Sequence, residues 1–242
     1  VVDGVTLSDY PWKLMEKERA PGVPIMHGSN LDDGLLFVNM SRTGSKKDLA
    51  HWLKKMYSGD PHMPNRYIRK HVDKLYPKHE YPKTSPLLSR PFWVADRVET
   101  DFAYACPADR TSAAFSTKGV GRRMGSDSAA AVFQYRFAAG ASTNATVLHG
   151  DELPFVWLEA GHAPAEVRLA ETMSGFWVNF CRSGDPNKGG AVPSGTTAWP
   201  AWTKERREVL QFQSGKDDIA VVLKGGVDRK RCEKLWTKNW RS

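Results

Sequence analysis

Two loops of this sequence hold residues that could do acid–base chemistry. Val23-Pro24-Ile25-Met26-His27-Gly28 reads as a buried strand, and it runs into Ser29-Asn30-Leu31-Asp32-Asp33-Gly34. Asp33 in that tight turn is placed as a carboxylate that could orient a base. Asp32 and Asp33 also suit simple turn and helix-cap roles, since short acidic side chains bond to nearby backbone N–H groups. The second loop, Val147-Leu148-His149-Gly150-Asp151-Glu152-Leu153-Pro154-Phe155, carries His149. A lone histidine there could equally be structural or simply exposed. Nucleophilic ester chemistry needs three parts: a hydroxyl or thiol, a base, and an acid that holds the base. The third part is missing. No serine lies in a Gly-x-Ser-x-Gly elbow, and the nearest approach, Gly140-Ala141-Ser142-Thr143-Asn144, lacks the second glycine and precedes His149 by seven residues.

Other reactive residue types are sparse. Cys106, Cys181 and Cys232 are an odd set without a C-x-x-C pair, so a structural metal site is not expected. They fit one disulfide with one buried thiol, or three inert thiols. No cofactor motif is present. Asn39-Met40-Ser41 and Asn144-Ala145-Thr146 are candidate glycan acceptors if the chain enters a secretory route.

The elements that must position these loops read as α/β. Val1–Thr6 is expected to be extended, and Pro11–Glu18 helical with proline at its start. Leu49, Trp52, Leu53 and Met56 recur at helical spacing, so 46–57 is an amphipathic helix with Gly59 beyond it. Tyr67, Ile68, Val72 and Leu75 mark a second helix. Residues 77–91 carry four prolines and are a loop. A helical pattern over Phe92–Phe115 is expected to break near Pro107, and 118–129 is Gly/Ser-rich. Ala131–Phe137 alternates as a strand. Glu166–Cys181 is a long helix with Leu169, Met173, Phe176, Trp177 and Phe180 on its apolar side. Glu208–Gln213 and Asp218–Leu223 form a hairpin-like pair around Ser214-Gly215, and 228–240 is a basic helix. Strands alternating with helices imply a mainly parallel sheet flanked by helices.

Composition agrees with a folded chain. Of 242 residues, 40% are hydrophobic and 26% charged, enough apolar surface to exclude disorder and build a large core. No apolar run approaches the ~20 residues that span a bilayer. The opening VVDGVTLSDY is neither a basic n-region nor an apolar signal core. The formal net charge is +8. Much of it falls in residues 46–83, where ten Lys/Arg stand against four acids. Charge runs of this kind usually cover solvated helix faces; an anionic partner is the other reading. No zinc finger, RNP pair or GXXG loop accompanies it, so nucleic acid is not expected.

Three ordered motifs, "GSNLDDG", "HGDELPFVW" and "MSGFWVNFCRSGDPN…WPAW", together resemble the C-terminal half of the type-B carboxylesterase/cholinesterase family of α/β-hydrolases. The resemblance runs from "VVDGV" to the last helix, so one domain over 1–242 is implied. It assigns Asp33 as the acid, where the family more often has Glu, and His149 as general base and then acid. Acid before histidine matches the chain order of that fold. The resemblance also implies a Cys106–Cys232 disulfide, with Cys181 a buried odd thiol, and hence an oxidising, secreted or luminal location. The nucleophile elbow and oxyanion loop of the family lie upstream of these motifs. The expectation is therefore part of a split or cleaved esterase, inactive alone, whose N-terminal chain supplies the serine for carboxylic ester substrates. A non-catalytic adhesion or assembly module, as in neuroligins and thyroglobulin, is the alternative.

Overall fold

A computed structural model describes residues 2–17, 22–57, 65–77, 88–116, 130–139, 146–159, 164–213, 219–225 and 229–237. The chain divides into two compact units. One comprises Val1–Ser29, Ala108–Ala145 and Asp151–Val227 and holds the sheet. The other comprises Asn30–Pro107, Thr146–Gly150 and Asp228–Ser242 and is helical.

The sheet unit orders its strands β1-β2-β3-β4, with β1 Ile25–Asn30, β2 Val132–Phe137, β3 Val209–Phe212 and β4 Ala220–Leu223. β2 and β3 are parallel, with Tyr135 beside Leu210 and Phe137 beside Phe212. β3 and β4 are antiparallel, as hairpin strands must be, with Val209 opposite Leu223. A side chain at Gly28 of β1 would overlap the Tyr135 ring and carbonyl, which is why glycine stands there. The long helix α7, Pro164–Ser183, buries Leu169, Met173 and Phe176. Phe176 meets Trp199 edge-on at 5.3 Å, and Trp199 meets Phe212 at 5.5 Å. Trp199 is held by a reciprocal pair of bonds. Its backbone N–H donates to Asn187 Oδ1 (2.8 Å), and Asn187 Nδ2 donates to its carbonyl (2.9 Å). The asparagine of the Gly-Asp-Pro-Asn turn thus fixes the tryptophan of the Trp-Pro-Ala-Trp segment. α1 (Pro11–Glu16), α6 (Leu153–Val156) and, from Ala108 on, α5 (Cys106–Phe115) also belong to this unit.

The helical unit packs α2 (Lys46–Tyr57), α3 (Asn65–Leu75) and α4 (Arg90–Thr100) around Trp52, Leu53, Val72, Phe92 and Val98. Ser89 caps α4 by accepting from the Phe92 N–H (3.3 Å). Cys106 and Cys232 are joined by a disulfide inside this unit. Beside it Arg231 lies 3.7 Å from Asp101, which also accepts from the Tyr76 hydroxyl at 2.8 Å.

Four sequence expectations change. Residues 2–6 form a turn, not an extended segment: Asp3 Oδ1 accepts from the Val5, Thr6 and Leu7 N–H groups, and Gly4 takes φ +75°. The helix does not break at Pro107. It continues from α4 through a π-helical turn, Asp101–Ala105, into α5. The Cys106 N–H reaches back to Asp101 O, so the widened turn absorbs the region where proline cannot donate. Cys181 is exposed, because α7 turns it to the side of the exposed Val167 and Val178. Met56, in the last turn of α2, is 42% exposed. Gly59, most of 77–91, Ser142, Asn144, residues 118–129, the Ser214-Gly215 turn and 238–240 lie outside the described residues, as do the side chains of Tyr67, Ile68, Leu235 and Trp236. No helix among the described residues is long and apolar enough to cross a membrane.

Candidate active site

The strand β1 ends at Asn30, and the next three residues turn sharply against α4. Asp33 is 3% exposed. Its Oδ2 accepts from the Asn30 backbone N–H at 2.6 Å, the turn-capping role its sequence suggested. Its Oδ1 lies 2.8 Å from His149 Nδ1. Both roles fall to one carboxylate. The His149 side chain is half exposed (51%), so the dyad has a buried acid and an open imidazole. A carboxylate at Nδ1 holds the proton there and leaves Nε2 as the nitrogen that can accept another.

The loops are stitched by residues whose roles the sequence did not reveal. The Asp32 N–H donates to Val147 O (3.0 Å), and the Val147 N–H donates back to Asp32 Oδ2 (2.9 Å). Asn30 Nδ2 donates to Leu148 O at 2.7 Å. Arg97 on α4 completes the turn: its Nη2 sits 2.9 Å from Asp32 Oδ1, and its Nη1 donates to the Leu31 carbonyl. Asp32 is therefore a clamp and Asp33 the residue that faces histidine. Nothing in the Asp-Asp pair alone separates those two jobs. Arg97 was invisible because its partners lie 65 and 66 residues away.

Among the described residues, the rings of Phe37 and Tyr104 flank the imidazole. Phe37, on a single 3₁₀ turn (Leu35–Phe37), meets it edge-on at 5.6 Å. Tyr104, on the π-helical turn, lies 5.1 Å from it. Burial raises the Tyr104 hydroxyl's pKa, and the negative charges of Asp33 and Glu99 raise it further, so it stays a neutral phenol. Among the described residues no three His, Cys, Asp or Glu side chains converge on a metal-sized site.

This fold is that of known esterases. The structure superposes on a pNB esterase with a TM-score of 0.64 at 22% identity, over 97% of this chain and 43% of that one. The Geobacillus stearothermophilus carboxylesterase gives 0.65 at 24%, over 98% and 45%. These likenesses place the chain in the α/β-hydrolase fold. The model of the carboxylesterase family matches residues 1–233, and the chain belongs to that family. It is 26% identical to the crystal protein of Dictyostelium discoideum, over 89% of this chain and 38% of that protein. Acetylcholinesterase 1 of Caenorhabditis elegans is 22% identical over 96% of this chain and 40% of its own length, and carboxylesterase 5A of Canis lupus familiaris 26% over 86% and 36%. The chain thus spans about two fifths of the length of the relatives it matches.

Proposed function

We propose that this chain contributes the acid and the base of a serine carboxylesterase, with the nucleophile and oxyanion donors supplied from outside these 242 residues by an N-terminal chain of a cleaved or split enzyme. The observation that carries the reading is the 2.8 Å contact between buried Asp33 and open His149. In the assembled site the serine hydroxyl attacks the carbonyl of a carboxylic ester while His149 Nε2 takes its proton. Asp33 stabilises the imidazolium, which then protonates the leaving alcohol. Water, activated by the same nitrogen, releases the acid. Both units belong to one esterase domain in this reading. The absence of a Gly-x-Ser-x-Gly elbow from the sequence makes the 242 residues inactive alone.

The same reading puts the protein in the secretory route. A disulfide is at home there, and Asn39, the acceptor of one sequon, is exposed. Treating native material with a fluorophosphonate probe tests the proposal. Label should fall on a companion chain, and His149→Ala should abolish it. Absence of any labelled companion would leave a non-catalytic module of the family as the better description.

A further inference from the structure

Beneath the Asp33 turn lies a second acidic residue that the reaction does not call on. Asp96, on α4, is 0% exposed. Its Oδ1 accepts from the Thr100 hydroxyl at 3.2 Å, and the Thr100 oxygen in turn accepts from the Gly34 N–H at 2.8 Å. Its Oδ2 is buried with no donor against it among the described residues. Besides the Thr100 hydroxyl, the Asp32 carboxyl acts on Asp96, both as a like charge and as a hydrogen-bonding neighbour.

Two buried carboxylates cannot face each other as acceptors only. Asp32 already has good reasons to be the charged member, with the Arg97 guanidinium at 2.9 Å and the Val147 N–H at 2.9 Å. One guanidinium compensates one carboxylate. Asp96 has a single hydroxyl donor and complete burial, and a proton on Oδ2 removes both the orphaned acceptor and the like-charge repulsion. We propose that Asp96 is a neutral carboxylic acid that donates its proton to Asp32 and, as a positioning residue, holds the Asp33 turn and the His149 loop in register. It brackets Asp33 from both sides: Asp32 before it directly, and Gly34 after it through Thr100. Burial, foremost, and the Asp32 charge push the Asp96 pKa well up; Arg97 and Thr100 pull the other way and are outweighed. The catalytic consequence rests on the esterase reading above, whereas the proton itself does not.

Infrared spectroscopy on the full, disulfide-bonded chain reads the proton directly. At neutral pH the spectrum should contain the carbonyl stretch of a buried neutral carboxylic acid, shifted in D2O and lost in Asp96→Asn. If Asp96→Asn removes no such band, the proposal is overturned whatever the activity. In Asp96→Asn the amide N–H donates where the acid O–H did, so fluorophosphonate labelling of the assembled enzyme should proceed at close to the native rate. Asp96→Ala, which donates nothing, should slow labelling by on the order of tenfold or more, tenfold being 1.36 kcal/mol of barrier. Equal slowing in Asn and Ala variants, or none in Ala, would keep the proton and overturn the positioning role. If the unmodified enzyme takes no label, the esterase reading fails while the infrared band still decides the proton.

Discussion

His149 and His27 sit beside carboxyl and hydroxyl partners, and their surroundings give them opposite uses. His149 is open, against a buried carboxylate. His27 on β1 is partly buried, with Nε2 2.9 Å from Ser112 Oγ, and the Ser112 hydroxyl donates to Gln134 Oε1 at 2.9 Å. The hydroxyl proton being engaged, the ring Nε2–H donates to its oxygen. Ser112 is 0% exposed, so this His–Ser pair is structural despite its resemblance to a catalytic one. Burial lowers the His27 pKa from 6.5 to about 4. The unfolded chain then binds a proton that the folded one refuses. The stabilisation is whole above the unfolded pKa and drains away as pH falls from about 6.5 to 4, by up to about 3 kcal/mol. Urea unfolding of the native chain and His27→Gln at pH 7 and pH 4.5 should show a smaller acid loss in the variant; parallel losses would mean His27 charges freely in the fold. From sequence, His27 was only the end of an apolar strand, because the serine that defines its state is 85 residues away.

Among the elements, those with a strong period were legible and the junctions were not. Leu49, Trp52 and Leu53 bury as the helical spacing of 46–57 demands, and α7 buries Leu169, Met173 and Phe176. Two of the differences are local: Asp3 Oδ1 gathers the N–H groups that follow it, and the π-helical turn lies directly before Pro107. Proline at 107 argued for a break, yet the π-helical turn before it keeps the helix running and delivers Tyr104 to His149. The Asp-Asp-Gly turn was legible as a turn, but its glycine has a reason that only packing supplies. A Cβ on Gly34 would stand 2.5 Å from Thr100 N and 2.7 Å from Asp96 O, both rigid helix backbone. Its φ of −74° is ordinary, so the constraint is steric, not conformational. Gly34→Ala must push the acid turn off α4, costing about 1–3 kcal/mol as overpacking does. A lower urea midpoint is expected. An unchanged midpoint would mean that the turn and helix part without cost.

At the scale of the molecule, the disulfide is a covalent link that shortens the unfolded chain. It closes a loop of sequence separation 126 between residues that belong to the same helical unit, so most of the sheet unit lies in the loop. In the chain-entropy account a loop of that length stabilises by up to about 5 kcal/mol, acting on the unfolded ensemble. Cys106 and Cys232 are also packed in the hydrophobic cluster, at 4% and 1% exposure, so replacing them would mix lost packing with lost crosslinking. Reduction separates the two, because both sulfurs stay in place. The fold then keeps Arg231 to fasten its last segment, through its Nε bond to Leu75 O (2.9 Å), its stacking on Tyr76 and its contact with Asp101. Those contacts act in the native state and do nothing to shorten the open chain. Denaturant unfolding with and without reductant should therefore show a lower midpoint for the reduced protein, with its native spectrum retained beforehand. Equal midpoints would mean that the unfolded chain is already compact enough for the crosslink to remove no freedom.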